Sequence, residues 1–279
     1  MDHYHILVLN SSLDEMELGI GDILQSLQRG SLIRVDAQAP RTPEFAEQSV
    51  TRVRPDRLEQ LYCGIASARQ ACTALVAAPC VDAALRFLDE HRGTTADFAI
   101  ILCSATPDPL SQKKAAETFR ALLDMDVQPD QMGMVLAQAP AGTPVEQAFQ
   151  DLIQLREERL PGLACSVVLP ESQVFARARG HRIPLAGILN RQVDFEVALR
   201  QARQQGEDEG AIQALARKVL AQRALLSQTG RIVEAFAALP FDPTPPASQF
   251  AGVGPSRQPA GDERIVMERP ETADASGQQ

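Results

Sequence analysis

Short apolar runs that alternate with helical patterns are the feature that most constrains the fold of this chain. The runs are of strand length and lie at residues 5–10, 31–35, 73–77, 98–103, 133–137 and 165–169. Several of them are apolar at successive positions, as in a parallel sheet that helices cover on both faces. Helical patterns lie between them, at residues 15–28, 55–71, 81–91, 111–125 and 145–159. The sequence therefore predicts an α/β fold with a doubly wound, mostly parallel sheet.

The pattern changes after residue 169. Two short helices are expected at residues 171–179 and 184–190, and a long helical region at 193–239 that is interrupted near 205–210. The second part of that region is amphipathic and should pack on the domain or on a partner. We therefore expect an α/β domain over residues 1–192 and a C-terminal helical region over 193–240 that packs on it.

Residues 241–279 form the last predicted segment. They are rich in Pro, Gly, Ser and Ala and offer little apolar surface to offset the entropy of ordering. We expect a mostly disordered tail, although the run from Arg264 to Met267 leaves a short docking segment as an alternative.

Composition limits the function classes. The formal net charge of −9 argues against nucleic-acid binding over the whole surface, while a local basic patch stays open. No apolar run approaches the ~20 residues of a membrane span, and the first residues do not resemble a signal peptide. The five cysteines form no close CxxC pair, so we expect reduced, mostly buried thiols in a cytoplasmic protein and no metal site.

The turn after the first apolar run is where a phosphate-binding loop is expected in a nucleotide-binding α/β protein. Such a loop needs small residues, a lysine and a hydroxyl. No lysine occurs here, and the first glycine is Gly19. The turn instead consists of Ser11, Ser12, Leu13, Asp14, Glu15, Met16 and Glu17. Acids about 4 Å from a phosphate would repel it by about 4 kcal/mol at an effective dielectric of 20. We therefore favour a structural role, in which the acids stabilise a helix N-terminus and Asp14 caps it.

The run at residues 73–77 is the next position to inspect, because nucleotide hydrolases place an acid at the end of such a strand. Here the sequence continues Ala77-Ala78-Pro79, and the first acid is Asp82. We expect Asp82 to lie in the first turn of the following helix, with no role as a metal ligand.

Other polar residues support weaker hypotheses. His3 and His5 lack a third ligand, and no hydroxyl or thiol has an evident His and acid beside it, so neither a metal site nor nucleophilic catalysis is expected. Solvated helix faces explain most of the basic residues, with a DNA or partner contact as the alternative. The candidates for that contact are Arg177, Arg179, Arg182, Arg217, Lys218, Arg223 and Arg231.

The order of segments carries a family resemblance. The stretch at residues 98–140, "FAIILCSATPDPLSQKKAAETFRALLDMDVQPDQMGMVLAQAP", resembles the ParA/MinD family of P-loop ATPases, and most closely the StbB-type plasmid-stability proteins. "VFARARGHRIPLAGIL" at residues 174–189 and the helical region from residue 193 resemble later segments of that family. The resemblance covers about residues 3–240.

The resemblance implies a fold, a cytoplasmic location and a role in the segregation of plasmid or other mobile DNA. It also implies a protein partner, either a DNA-bound adaptor or a ParA-type homologue, and it is compatible with a homodimer and with weak, non-specific DNA binding. The family's loop lysine falls on Glu17 or Met16 here, and its strand-end aspartate falls near Val76 or Ala77. We therefore transfer no catalytic or cofactor-binding residue and expect a pseudo-ATPase. A divergent NTPase that uses Ser11 and Ser12 and an accessory DNA-binding factor remain the alternatives.

Overall fold

The computed structural model describes residues 5–12, 15–28, 30–37, 50–174, 185–189 and 192–236, together with positions 177, 181, 183 and 239. Contacts separate Met1–Thr244 from Pro245–Gln279, and every described residue belongs to the first unit. The predicted tail lies outside the described residues, and the predicted domain boundaries stay predictions.

A seven-stranded sheet lies at the centre of the first unit. Its strands are β1 (His5–Asn10), β2 (Ser31–Val35), β3 (Val50–Val53), β4 (Cys72–Val76), β5 (Ile100–Ala105), β6 (Met132–Ala139) and β7 (Cys165–Pro170). Their spatial order is β3-β2-β4-β1-β5-β6-β7, and each neighbouring pair is parallel. The predicted doubly wound fold is confirmed, with a sheet that is parallel throughout.

Helices flank this sheet. They are α1 (Glu15–Gln28), α2 (Leu58–Ala66), α3 (Val81–Glu90), α4 (Pro109–Asp124), α5 (Val145–Ala148), α6 (Gln150–Arg159), α7 (Leu185–Leu189), α8 (Phe195–Gln205) and α9 (Glu209–Phe236). The interruption predicted near residues 205–210 is confirmed by the connection between α8 and α9. Among the described residues, no helix is long and apolar enough to cross a bilayer.

Two predictions of secondary structure were wrong, and one strand was missed. The helix predicted over residues 55–71 ends at Ala66, because Ser67 caps it by donating from its backbone N–H and its Oγ to the carbonyl of Cys63. The single helix predicted over residues 145–159 breaks at Phe149, whose φ of −124° and ψ of 39° turn its fully buried ring into the core. Strand β3 was missed because its exposed Thr51 and Arg52 give no apolar run at this sheet edge.

The two faces of the sheet carry separate hydrophobic cores. Helices α2, α3, α4 and α6 cover one face, with Phe119 and Phe149 fully buried there. Helices α1, α7 and α9 cover the other, where Ile23 and Leu225 are buried. Each fully buried side chain of this size contributes about 1.5–3 kcal/mol. Burial on both faces explains why the strands are apolar at successive positions.

Candidate functional site

The carboxyl ends of β1 and β5 are the place where this topology offers a ligand site. From β1 the chain continues through α1 to β2 on one side, whereas from β5 it continues through α4 to β6 on the other. Helices α1 and α4 also lie on opposite faces of the sheet. Open α/β sheets bind ligands in the crevice where successive connections diverge in this way. We call this place the β1–β5 crevice.

Small polar side chains fill the β1–β5 crevice. Asn10 and Ser11 come from the end of β1, Ser104 from β5, Thr106 from the following loop and Ser111 from α4, and all five are buried. The Ser104 hydroxyl donates to Asn10 Oδ1 over 2.9 Å. A buried hydroxyl without a partner costs about 1–3 kcal/mol, so the question is how the remaining groups are satisfied.

A chain of hydrogen bonds satisfies the hydroxyls of Ser11 and Ser111. The Ser11 hydroxyl donates to the backbone carbonyl of Ser104. A hydroxyl has one proton, so the 3.1 Å contact between Ser11 Oγ and Ser111 Oγ is a bond that Ser111 donates. Ser111 Oγ in turn accepts from the Thr106 backbone N–H over 3.0 Å. The hydroxyls of Ser11, Ser104 and Ser111 are therefore bonded to neighbouring groups of the protein, and these bonds join β1, β5 and α4.

The first turn of α4 completes the crevice. Asp108 is the N-cap, and its Oδ2 accepts from the Ser111 backbone N–H over 2.9 Å, which occupies one of the free donors of the helix end. The buried Gln112 amide donates from Nε2 to the carbonyls of Pro107 and Ala148, at 3.0 Å each. This amide fastens the loop after β5 to α5.

The predicted degenerate loop is described only in part. Ser11 lies in the hydrogen-bond chain, and Ser12 beside it is half-buried. Glu15, Met16 and Glu17 belong to the first turn of α1, where acids stabilise the helix end. Leu13 and Asp14, including the predicted cap, lie outside the described residues, as do the side chains of residues 15–17. Gly19 and Gly21 lie within α1, as the sequence predicted; a Cβ on Gly21 would lie 3.0 Å from the Leu75 side chain.

The end of β4 is apolar. Ala77 follows the strand and donates its N–H to the Val35 carbonyl, and a short 3-10 turn at Ala78–Cys80 leads into α3. Asp82 lies exposed in the first turn of α3, which confirms its predicted position.

The cysteines are free thiols. Cys63 is exposed, and the other four are buried. Burial raises the pKa of Cys165 to about 11 and raises that of Cys103 above its ordinary value. A thiol kept protonated in this way is a poor nucleophile and a poor metal ligand. Within the described part of the chain, no cluster of three or more His, Cys, Asp or Glu side chains has metal-binding geometry.

The structure describes four of the seven predicted basic residues with their side chains, and three of these four lie on α9. Arg177 is exposed and donates to Gln173 Oε1. Lys218 places its Nζ 5.3 Å from the ring centre of Phe195, and Arg223 forms an ion pair with Glu196. Arg217 is exposed on the same helix. Arg179, Arg182 and the side chain of Arg231 lie outside the described residues, so their grouping stays a prediction.

Sequence reasoning missed two cations that lie near this group. Arg200 and Arg203 are exposed on α8, which packs against α9. Their signal was the spacing from Glu196, which is four and seven residues and therefore places all three on one helix stripe.

Comparison with known proteins gives likenesses among solved structures only. No family model matches this chain, and no curated protein matches it. The MinC:MinD cell division protein complex of Aquifex aeolicus is 11% identical and covers 80% of this chain and 96% of its own, at a TM-score of 0.42. The ATP complex of a McdA variant from Cyanothece is 11% identical, covers 67% and 90%, and has a TM-score of 0.42.

A ParA family ATPase from Chlorobium tepidum is 9% identical, covers 64% of this chain and 89% of its own, and has a TM-score of 0.41. The likeness is one of fold. MinD and ParA are among the names that these structures carry, and at such identities and TM-scores nothing about the family or activity of this chain follows from them.

Proposed function

We propose that this chain is a degenerate ParA/StbB-like protein, a pseudo-ATPase that acts by binding another protein in the maintenance of plasmid or other mobile DNA. The observation that carries the absence of ATP turnover is the closed hydrogen-bond chain of the β1–β5 crevice. A nucleotide site of this kind uses a serine or threonine hydroxyl to hold Mg²⁺, whereas the hydroxyls of Ser11 and Ser111 are bonded to the protein itself.

The surrounding sequence supports the same proposal. Glu17 or Met16 stands where the family resemblance requires a lysine, with Asp14 and Glu15 before it, and Val76 or Ala77 stands where an acid would position metal and water. The two substitutions affect separate parts of an ATPase site, so a single compensating residue does not restore both. The proposed setting is cytoplasmic, with a DNA-bound adaptor or a ParA-type homologue as the partner.

Titration with ATP tests the proposal. Thermal unfolding of the full chain is compared with and without about 1 mM ATP and Mg²⁺, alongside phosphate release. A ligand present at 100 times its dissociation constant stabilises a protein by about 2.7 kcal/mol, so binding at about 10 µM is readily seen. We expect no shift in the unfolding temperature and no phosphate release.

Two variants are compared. Ser11→Ala with Ser12→Ala removes the hydroxyls of the predicted loop, and Ser67→Ala removes a hydroxyl at the C-cap of α2, which is not part of the crevice. Binding with turnover in the parent chain, lost with the first pair and kept with Ser67→Ala, would establish the divergent NTPase instead. Deletion of the gene in the host should raise the loss rate of the element that carries it, and an unchanged loss rate would contradict the maintenance role.

A further inference from the structure

Helices α8 and α9 form an antiparallel hairpin whose register two contacts define. Glu196 Oε1 lies 2.8 Å from Arg223 Nε, and the Phe195 N–H donates to Gln222 Oε1 over 2.8 Å. The start of α8 therefore lies beside the middle of α9, and residues 206–208 connect the helices at the opposite end.

The register and the helical spacing together show which residues of α8 and α9 lie on the same side of the hairpin. Arg200 and Arg203 follow Glu196 on one stripe of α8, since residues three and four apart lie on one face. On α9 the corresponding stripe precedes Arg223. We define the hairpin face as Arg200, Arg203, Gln213, Ala216, Leu220 and Arg223. Arg217 lies beside Leu220, whereas Leu226, six residues after Leu220, lies about 120° around the helix from it and outside this face.

The hairpin face combines exposed cations with an exposed leucine. Leu220 is 66% exposed. Arg200, Arg203 and Arg217 are exposed, and none of them forms an ion pair with another described residue. Glu196 already neutralises Arg223. A chain with a net charge of −9 thus presents a local positive surface around apolar side chains.

We propose that the hairpin face binds an acidic amphipathic helix of a protein partner. This inference rests on the proposed function and names the chemistry of its partner. Positions 213–223 extend over about 15 Å at 1.5 Å per residue, which suits a partner helix of about three turns. Its carboxylates pair with the arginines and its apolar stripe covers Leu220, as in helix-in-groove recognition.

The exposed Leu220 distinguishes a protein partner from the other classes of partner. Duplex DNA would use the arginines and leave Leu220 in water, since phosphate contacts alone account for non-specific binding. An anionic bilayer needs a broad apolar face on the helix that lies in it, whereas α9 turns its apolar residues Leu225 and Phe236 into the core.

Fluorescence anisotropy with a designed probe tests this. The probe is a labelled helical peptide of about 18 residues, with Leu at positions i, i+3, i+4 and i+7 and Glu beside them. Controls are the same composition in scrambled order and a version with Lys in place of Glu. We expect saturable binding of the first peptide at about 50 mM salt, at least about tenfold weaker binding of both controls, and weakening as salt screens the charges.

Matched variants locate the site. Arg200→Glu with Arg203→Glu should weaken peptide binding at least about tenfold, while Lys113→Glu with Lys114→Glu makes the same charge change on exposed residues of α4 and should leave it unchanged. Leu220→Asp should weaken binding to a similar extent, and Leu110→Asp, at a leucine 60% exposed, should not. Circular dichroism verifies that each variant is folded.

Each contrary outcome overturns the inference. These are no saturable binding up to about 200 µM peptide, equal binding of the scrambled peptide, or equal loss in the α4 variants. Binding to a duplex of about 20 base pairs or to phosphatidylglycerol vesicles that the hairpin variants abolish, without peptide binding, would assign the face to nucleic acid or to lipid. None of these outcomes changes the ATP measurement, so failure of the partner surface and failure of the pseudo-ATPase proposal are distinguishable.

Discussion

The β1–β5 crevice and the hairpin face differ in which side chains they bury: the crevice buries polar ones, whereas the hairpin face exposes an apolar one. In the crevice, serine hydroxyls that could serve a reaction are buried and bonded to one another. On the hairpin face, Leu220, which a partner could bury, lies in water beside arginines. Buried polar groups need hydrogen-bond partners, and the serine hydroxyls of the crevice have them. Exposed apolar side chains are stabilised when a partner buries them, and that of the hairpin face is not buried. The partners of a residue therefore say more about its role than its chemical type.

Thiol labelling should show the largest difference between the two regions. Cys103 precedes Ser104 in β5, and it is buried with a raised pKa. Its reaction with iodoacetamide at pH 8 should be slowed at least about 10³-fold relative to the unfolded chain, because it needs an opening of the sheet. A cysteine placed by Leu220→Cys should react at nearly the unfolded rate. Fast labelling of Cys103 would mean that the strand beneath the crevice opens freely.

Two adjacent leucines of α9 sharpen the comparison further. Leu225 is fully buried and Leu226 is 43% exposed. Leu225→Ala should lower the free energy of unfolding by about 2–5 kcal/mol, through lost burial and a cavity. Leu226→Ala should stay within about 0.5 kcal/mol. Urea denaturation measures both free energies of unfolding. Comparable losses of stability in the two variants would show that Leu226 is also buried against the protein.

Removal of one hydroxyl tests whether the crevice is structural. Ser111→Ala leaves the buried Thr106 N–H without its acceptor and deprives Ser11 Oγ of a donor, and it should cost about 1–3 kcal/mol. Ser227→Ala removes an exposed hydroxyl that donates to the Ala224 carbonyl, and it should cost less than about 0.5 kcal/mol. If Ser111→Ala left the free energy of unfolding unchanged, water would have entered the crevice and replaced the hydroxyl.

The smallest expected effect is that of the ion pair on the hairpin. A double-mutant cycle of Glu196→Ala and Arg223→Ala should give a coupling energy of about 0.2–1 kcal/mol that decreases with salt, because both side chains are exposed. A coupling above about 2 kcal/mol would mean that the pair holds the hairpin together and is not available to a partner.

The elements that periodicity predicted best are those that packing and local preference specify together. Helix α1 was predicted with both its bounds, and β1 and β2 likewise, because apolar runs and helical spacing within a short stretch of sequence define them. Strand β3 and the break at Phe149 were missed because they depend on contacts that are distant in sequence. The sequence also showed that the turn after β1 lacks a lysine, but it did not show that Ser11 meets Ser111, since those residues are 100 positions apart.

The arginine pattern was predictable only in part for a similar reason. Arg217, Lys218 and Arg223 attracted notice because they are close together in the sequence, whereas Arg200 and Arg203 join them only through the hairpin register that Glu196 and Arg223 define. Clustering along the chain and clustering in space are different quantities, and only the second concerns a binding surface.

A small apolar void lies between α2, α3 and the sheet. Leu7, Ile65, Phe87 and Phe98 are among the side chains around it, and its volume is about 20 Å³. The space would hold about one water molecule, but an apolar lining gives that water no hydrogen bonds. Under hydrostatic pressure an empty volume favours the unfolded chain. Compression should therefore loosen the molecule first beneath α2, on the face of the sheet opposite the long C-terminal helix.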